Sequence, residues 1–308
     1  MSAPRDFQAI RERARSLGPR RVAVAGGADD ELLRSLAEAR RSGLALPTVV
    51  GDSDRVNRTI RDAGLSPADF LVVGAADEAS VAPLAAGLVR NGQSDILMKG
   101  TVDTASFMRA VLDKDNGLRG AGLMSHVFVA ASRRLGRLFL VTDGGINIAP
   151  SLEDKARIVA NALPLARALG AGDEPRVAAL CAVEKPNPKM PETLDAVELV
   201  RMNRAGDLPG CVVGGPLALD NCVSAEAAAR KGISDPVAGR ADVILVPSVV
   251  VGNAACKAIL YFAGDECGGY VAGAAAPVVF LSRADDAATR LNSIALGVLM
   301  AATGQSGR

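Results

Sequence analysis

Two loops of this 308-residue chain combine basic and hydroxyl side chains in a way that is suited to binding phosphate. The first is Leu97–Ala105, which carries Lys99 and Thr104, and Arg109 follows on the second turn of a helix expected to begin near Thr104. Open α/β folds bind anions where the carboxyl end of a strand meets a helix N-terminus. Lys99, Thr104 and the backbone N–H groups are therefore candidate phosphate ligands, and a surface turn with a threonine cap is the alternative.

The second loop, Leu281–Asp286, joins the last predicted strand to the last predicted helix. Arg283 is suited to bidentate capture of phosphate, and the Ser282 hydroxyl can donate to a developing oxyanion. A neighbouring carboxylate, Asp285 or Asp286, can accept a thiol proton. The alternative is a Ser/Asp helix cap beside a surface arginine.

Three further loops also follow predicted strands. Val141–Pro150 has two adjacent glycines and Asn147, but it lacks the Gly-x-Gly-x-x-Gly fingerprint of dinucleotide sites. Glu184–Pro191 is stiffened by three prolines, which hold Lys185 and Lys189 in a defined place. Gly214–Asn221 ends in two residues that are expected to cap the next helix.

The elements that position these loops alternate between short β-rich runs and longer helical segments, which predicts βα units and a mostly parallel sheet. The predicted strands are Arg21–Ala25, Pro47–Val50, Phe70–Val73, Ile96–Met98, Val127–Ala130, Leu138–Val141, Val177–Val183, Cys211–Val213, Asp242–Val246, Gly269–Ala272 and Pro277–Leu281. The predicted helices are Asp30–Ser42, Asp77–Arg90, Leu152–Leu169, Glu192–Arg204, Ala225–Lys231, Asn253–Phe262 and Ala287–Met300.

Composition limits the classes of function. The chain is 49% hydrophobic, and 35 basic residues nearly balance 34 acidic ones, so no global charge favours DNA or a membrane surface. The five cysteines form no C-x-x-C pair and are expected to be reduced core residues. The single histidine, His126, has no cysteine nearby, so no zinc site is predicted. The N-terminal stretch is polar, and no apolar run reaches the length of a membrane span, so we expect a soluble cytoplasmic protein.

In combination and order, these loops resemble the phosphate acetyltransferase and phosphate butyryltransferase family, and are closest to its butyryltransferase branch. The resemblance runs from about Asp95 to Leu299 and adds little before residue 90. It rests on Asp95–Gly100, Thr104-Ala105, Arg109, Leu123–Val127, Thr142–Pro150, Ala182–Pro191, Gly215–Ser224, Pro236–Pro247, Gly252-Asn253, Lys257 and Ser282–Asp285.

The resemblance implies a two-domain α/β fold of the isocitrate/isopropylmalate dehydrogenase-like kind, with a cleft between the domains. Residues 1–136 and 273–308 would form the first domain and residues 137–272 the second. The implied reaction is acyl-CoA plus phosphate to acyl phosphate plus CoA, by direct transfer in a ternary complex, with a butyryl or another short-chain acyl group. Coenzyme A and phosphate would be substrates, with no cofactor, metal, nucleic acid or membrane involved, and the assembly would be a homodimer or larger.

The same resemblance implies the roles of individual residues. Ser282 would stabilise the transition state, Arg283 would bind phosphate or the CoA phosphates, and Asp285 would be the base, with Asp286 as the alternative. The phosphate- and CoA-binding residues would be Lys99, Thr104, Arg109, Asn147, Lys185, Asn253 and Lys257.

Two departures from the family pattern stand out. The acetyltransferase branch places its thiol-deprotonating aspartate seven residues after the serine, where this chain has Thr289. Ser248 and Val250 replace acidic or amide residues before Gly252-Asn253. The second departure motivates the alternative of a non-catalytic acyl-CoA-binding or regulatory relative. A dehydrogenase on the same scaffold would need a cluster of metal-binding aspartates together with a tyrosine or lysine acid.

Overall fold

The computed structural model describes residues 3–120, 122–280, 282 and 285–304. Its strands are β1 (Arg20–Ala25), β2 (Ala45–Gly51), β3 (Leu71–Gly74), β4 (Ile96–Lys99), β5 (Ser125–Ser132), β6 (Arg137–Thr142), β7 (Arg176–Leu180), β8 (Val212–Leu217), β9 (Val243–Leu245), β10 (Glu266–Ala272) and β11 (Val278–Val279). Its α-helices are α1 (Phe7–Ser16), α2 (Asp30–Arg41), α3 (Ser53–Asp62), α4 (Glu78–Arg90), α5 (Thr104–Leu112), α6 (Leu152–Ala168), α7 (Pro191–Ala205), α8 (Leu219–Val223), α9 (Ala225–Arg230), α10 (Val249–Ala258) and α11 (Ala287–Ala302).

The chain divides into two compact units. The middle unit is Leu123–Cys267 together with the N-terminal residues through Asp6, and the terminal unit is Phe7–Gly122 with the chain from Gly268 onward. In the terminal unit the strand order is β3-β2-β1-β4-β11-β10, with only the β10–β11 pair antiparallel among these described strands. In the middle unit it is β5-β6-β9-β7-β8, where β5 and β6 are antiparallel and the other pairs are parallel. The predicted α/β fold with mostly parallel strands is confirmed.

Continuous apolar runs make the central strands of the terminal unit. The last four residues of β1 and all four of β4 are buried, as expected for parallel strands covered on both faces. Helices start directly after the strands, and aspartates cap them: Asp29 accepts the N–H of Leu32 at the start of α2, and Asp77 forms a capping box with Ser80 on α4. The carboxyl ends of the strands and the capped helix starts therefore lie at the same edge.

The core of the middle unit gathers large side chains from its strands. Phe128, Phe139, Leu217 and Val246 belong to one buried cluster. Helix α6 begins with the predicted cap, because Ser151 accepts the N–H of Asp154 and Asp154 accepts the N–H of Ser151. Asp154 thus completes a capping box that more often contains Glu or Gln.

Three helices were not predicted: the five-residue α8 and two longer ones. Helix α1 buries Phe7, Ile10 and Ala14, and helix α3 buries Val56 and Ile60 on an otherwise polar surface. Both sequences are mostly polar, so few apolar residues mark the helical period.

Three predicted ranges and one cap are corrected. The strand predicted over Cys211–Val213 extends to Leu217, so the first half of the predicted loop Gly214–Asn221 belongs to β8. The strand predicted over Val177–Val183 ends at Leu180, and the helix predicted over Asn253–Phe262 begins at Val249 and gives way to a π-helix after Ala258. The prediction that Asp220 and Asn221 cap a helix is wrong, because both lie inside α8. The cap of α9 is Ser224, whose hydroxyl accepts the N–H of Ala227.

Every helix in the part of the chain that the structure describes is too short or too polar to cross a membrane.

Candidate active site

The two loops of the terminal unit that were predicted to bind phosphate line one pocket of about 370 Å³. The loop after β4 contributes Lys99, Gly100 and Thr101, and the loop before α11 contributes Ser282. Helix α11 adds Arg290, and the start of α2 completes the wall. The terminal unit thus brings together residues that stand about 180 positions apart in the sequence.

A backbone contact fixes the end of β4 in this pocket. Ala25 and Lys99 are register partners in the β1–β4 pair, and the N–H of Gly100 donates to the Ala25 carbonyl at 3.0 Å. The two chains stay close beyond the strands, because the N–H of Thr101 donates to the Gly26 carbonyl at 3.2 Å. A side chain at position 100 would place its Cβ only 1.7 Å from that carbonyl oxygen, so glycine is required there.

Lys99 is the last residue of β4 and only 4% exposed, although the strand is otherwise apolar. Its Nζ lies 3.5 Å from the carbonyl oxygen of Gly100. Lysine is rarely buried to this extent unless something compensates its charge. The Lys99 ammonium on the wall of the pocket provides the positive charge that a phosphate requires.

Hydrogen bonds hold Ser282 in a tight turn. The N–H of Ser282 donates to Oδ2 of Asp285 at 2.8 Å, and the N–H of Asp285 donates to the Ser282 carbonyl at 3.2 Å. Asp286 is the N-cap of α11 and accepts the N–H of Thr289 at 2.7 Å. Thr289 is buried in the first turn of that helix. The two adjacent aspartates therefore differ: Asp286 anchors the helix, whereas Asp285 shapes the turn that carries Ser282.

The other site residues predicted in the terminal unit lie on or near α5. Thr104 is the first residue of the helix, but the cap is Asp103, whose carboxylate accepts the N–H of Ser106 at 2.9 Å. Hydrogen bonds from Ser106 lower the pKa of Asp103. Arg109 is exposed and donates to Oγ of Ser106 at 2.8 Å. Neither Thr104 nor Arg109 lines the pocket at Lys99.

Arg283, the arginine that sequence reasoning favoured for catalysis, lies outside the described residues, as do its neighbours Leu281 and Ala284.

In the middle unit, Asn147 organises its own loop. Its Nδ2 donates to the Met124 carbonyl at 2.8 Å and to Oδ2 of Asp143 at 2.5 Å. The buried Asp143 carboxylate also accepts the N–H groups of Gly145, Ile146 and Asn147 at 2.8–3.0 Å. Both amide protons of Asn147 are thus used in holding the loop and anchoring it to Met124, before β5.

Lys185 lines a separate pocket of about 710 Å³ in the middle unit, together with Lys231. The Nζ of Lys231 donates to Oε1 of Glu184 at 2.8 Å and lies 3.1 Å from Oδ2 of Asp220. These bonds raise the pKa of Lys231 and lower the pKa of Glu184. Lys231 is therefore neutralised locally, and Lys185 is the more available cation of the two.

The remaining predicted ligands, Asn253 and Lys257, lie one turn apart on α10. Asn253 is exposed, and the Nζ of Lys257 lies 5.8 Å from the ring centre of Tyr261, within the range of a cation–π contact. Ser248 stands at the N-cap of this helix without a side-chain cap bond, and Val250 is 73% exposed. The departure from the family pattern therefore falls at the start of the helix that carries both predicted ligands.

Comparison with known proteins shows the family to which these loops belong. The model of the family described as phosphate acetyl/butaryl transferase matches residues 75–298, most of the chain. The chain belongs to this family. The phosphate butyryltransferase of Clostridium acetobutylicum is 42% identical to it over 297 residues, which is 96% of this chain and 98% of that protein. The phosphate acetyltransferase of Thermotoga maritima is 36% identical over 94% of this chain and 98% of its own length.

A solved structure agrees with this family membership. The branched-chain phosphotransacylase from Enterococcus faecalis V583 superposes with a TM-score of 0.82 at 32% identity, covering 92% of this chain and 99% of that one. The family resemblance predicted from the loops is confirmed.

The sequence interpretation missed the second basic residue that lines the pocket, Arg290. It stands in the first turn of α11 and is 6% exposed, within a helix in which ten of the other fifteen residues are buried. A single arginine in a long apolar helix is the signal that was available in the sequence.

Among the described residues, no group of three or more His, Cys, Asp or Glu side chains is arranged to hold a metal ion. All five cysteines are buried. Burial raises the pKa of the Cys181, Cys222 and Cys256 thiols to about 12 and that of Cys211 to about 11. The expectation that the cysteines are core residues is confirmed, and these four are protonated and unreactive at neutral pH.

Proposed function

We propose that this chain transfers a short-chain acyl group between coenzyme A and inorganic phosphate, with butyryl as the preferred group. The observation that carries the proposal is the pocket in which the buried Lys99 shares a wall with Ser282. Family membership supports the same reaction, and relatives named phosphate butyryltransferase support the choice of acyl group.

In the proposed reaction, a phosphate oxygen attacks the carbonyl carbon of the acyl-CoA thioester. A carbon–oxygen bond forms, the carbonyl oxygen becomes an oxyanion, and the carbon–sulfur bond then breaks to release CoA. Lys99 would hold the phosphate, and the Ser282 hydroxyl and Arg283 guanidinium would stabilise the negative charge that develops. Holding both substrates in one complex supplies a rate advantage through effective molarity, which can be worth about 7–11 kcal/mol.

Asp285 is the proposed base. A CoA thiol with a pKa near the usual thiol value of about 8.5 is mostly protonated at neutral pH, so the reverse reaction needs a proton acceptor. Asp286 is less suited to this role, because its carboxylate accepts the N–H of Thr289 and a movement toward the thiol would break this cap of α11. Asp285 forms a turn with Ser282, which would keep a carboxylate beside the proposed oxyanion donor.

We infer the finer architecture from the family. The fold would be the two-domain isocitrate/isopropylmalate dehydrogenase-like one, with a cleft between the two domains. Thr104, Arg109, Asn147, Lys185, Asn253 and Lys257 would bind phosphate or the phosphates of CoA. The protein would be a cytoplasmic homodimer or larger homo-oligomer that uses CoA and phosphate as substrates without a resident cofactor or metal.

The test follows the fate of butyryl-CoA with and without phosphate, with hydroxylamine added to trap acyl phosphate as a hydroxamate. We expect loss of thioester only with phosphate, and a fall in kcat/KM of about 100-fold or more for Arg283→Ala, the usual cost of removing a transition-state donor. Arg58→Ala, on the exposed surface of α3, removes the same charge outside the pocket and should leave the rate unchanged.

The outcomes separate the alternatives. CoA binding without phosphate-dependent loss of any thioester in a panel of acetyl-, propionyl- and butyryl-CoA would contradict the proposal and favour a non-catalytic relative. Equal rates for Arg283→Ala and the wild-type protein would refute the assigned role of Arg283 while leaving the reaction intact.

A further inference from the structure

Arg290 is buried in the terminal unit with little to compensate its charge. It is 6% exposed, and its guanidinium Nη1 lies 3.4 Å from Oε2 of Glu31 on α2. The Glu31 side chain is 76% exposed, so water screens this ion pair. Arginine is seldom buried this deeply without a close partner, because removing its charge from water is costly. Among the residues that the structure describes, this long contact with an exposed carboxylate is the ion pair of Arg290, and it is weak compensation for a buried guanidinium.

The position of Arg290 on the wall of the Lys99 pocket offers a reason for burying its positive charge. Lys99, Ser282 and Arg290 line the same pocket of about 370 Å³, so two buried cations border one cavity. Asp29 also lines it, but its Oδ1 accepts the N–H of Leu32 at 2.8 Å as the cap of α2. A dianionic phosphate matches the two positive charges, and the planar guanidinium can bind two of its oxygens at once.

We propose that Arg290 is a further binding residue for inorganic phosphate and acts with Lys99. The proposal rests on the proposed function for its assumption that phosphate is a substrate. The shared chemistry is a phosphate dianion, which either inorganic phosphate or the 3′-phosphate of CoA can supply. Ser282 lines the same pocket and is the proposed oxyanion donor, which favours the reacting phosphate.

Direct binding tests the proposal without any acyl substrate. Titration of the full chain with inorganic phosphate, followed by calorimetry and by the rise in melting temperature, should show binding to the wild-type protein. Arg290→Gln and Lys99→Met should each weaken it by about 10- to 100-fold, which is the usual effect of losing a charge-assisted hydrogen bond. Arg290→Lys should recover part of the affinity, because it keeps the charge without the planar fork.

Two matched variants separate phosphate binding from a merely structural role. Glu31→Gln removes the carboxylate beside Arg290, and Arg34→Gln removes a positive charge from the same helix, where Arg34 pairs with Asp30 at 3.1 Å on the surface. Both should bind phosphate as tightly as the wild-type protein, or more tightly in the case of Glu31→Gln. If Arg290 served only the ion pair with Glu31, then Glu31→Gln and Arg290→Gln would have the same effect, which would overturn the proposal.

Steady-state kinetics distinguish the source of the phosphate. The proposal predicts that Arg290→Gln raises the KM for inorganic phosphate by about 10-fold or more and leaves the KM for acyl-CoA within about twofold. A rise in the KM for acyl-CoA that disappears with the dephospho-CoA thioester would assign Arg290 to the 3′-phosphate and overturn the proposal. An unchanged KM for phosphate in an active Arg290→Gln enzyme would also overturn the role proposed for Arg290. A wild-type protein that binds phosphate through Arg290 but has no transferase activity would refute only the proposed reaction.

Discussion

Replacing Gly100 with alanine should damage the terminal unit and its phosphate pocket together. The new Cβ would lie 1.7 Å from the Gly26 carbonyl oxygen and 2.8 Å from that of Ala25. Both are backbone atoms, so no side chain can turn away to relieve the clash. The loop after β4 must instead move by about 1.3 Å to bring the shortest contact from 1.7 Å to 3.0 Å, below which real Cβ contacts are essentially not seen.

That movement works against two hydrogen bonds that join the loops after β1 and β4. The N–H groups of Gly100 and Thr101 donate to the same two carbonyls at 3.0 and 3.2 Å. Each bond is worth about 0.5–1.5 kcal/mol, and overpacking adds about 1–3 kcal/mol, so we expect Gly100→Ala to lower the free energy of unfolding by about 2–6 kcal/mol. For a unit of this size the melting temperature would fall by roughly 4–24 °C.

The assay is thermal melting by circular dichroism, together with the phosphate titration. Gly87→Ala is the matched control, because its added Cβ would enter open space beside the last turn of α4. Alanine there should be neutral or stabilise the helix by up to about 1 kcal/mol. A Gly100→Ala protein that melts like the wild type and binds phosphate equally well would refute the backbone contact and the role assigned to this loop.

Two other predictions concern ionisable groups. Iodoacetamide at pH 8 should leave the cysteines of the folded protein unlabelled and should modify all five in urea, as measured by intact mass. Rapid labelling of the folded protein would contradict the burial of the cysteines. Burial raises the pKa of Asp95, but hydrogen bonds from Arg21 outweigh this and lower the pKa overall. The stabilisation is therefore present above the unfolded pKa of about 3.9 and lost as pH falls through the folded value. Asp95→Asn should melt below the wild type at pH 7, with a gap that closes on acidification; a gap that widens would contradict this.

Much of the fold could be predicted from hydrophobic period and capping residues. The strands of the terminal unit and helices α2, α4 and α6 were located to within about two residues, because apolar runs and aspartate or serine caps mark them. Helix α3 was missed although Asp52 caps it, since only Val56 and Ile60 on its surface are buried. The start of α10 was misplaced by four residues because a Val-Val-Val run gives no helical period.

The site could be predicted only in part. Local sequence indicated the loops at Lys99 and Ser282, because each follows a predicted strand and carries groups suited to an anion. Arg290 was missed because no motif surrounds it, and its burial depends on how α11 packs against α2 in three dimensions. Asn147 was predicted as a ligand from its side-chain chemistry, but sequence does not reveal that Asp143 and the Met124 carbonyl accept its amide protons.

Transfer of the butyryl group to phosphate can be followed directly by phosphorus NMR of a mixture of butyryl-CoA and inorganic phosphate. We expect the phosphate signal to fall as an acyl phosphate signal grows, with one CoA thiol released for each acyl phosphate formed. The reaction should run backward when CoA and butyryl phosphate are supplied. Release of CoA with free butyrate and no acyl phosphate at any time would show hydrolysis instead, and would contradict transfer between CoA and phosphate.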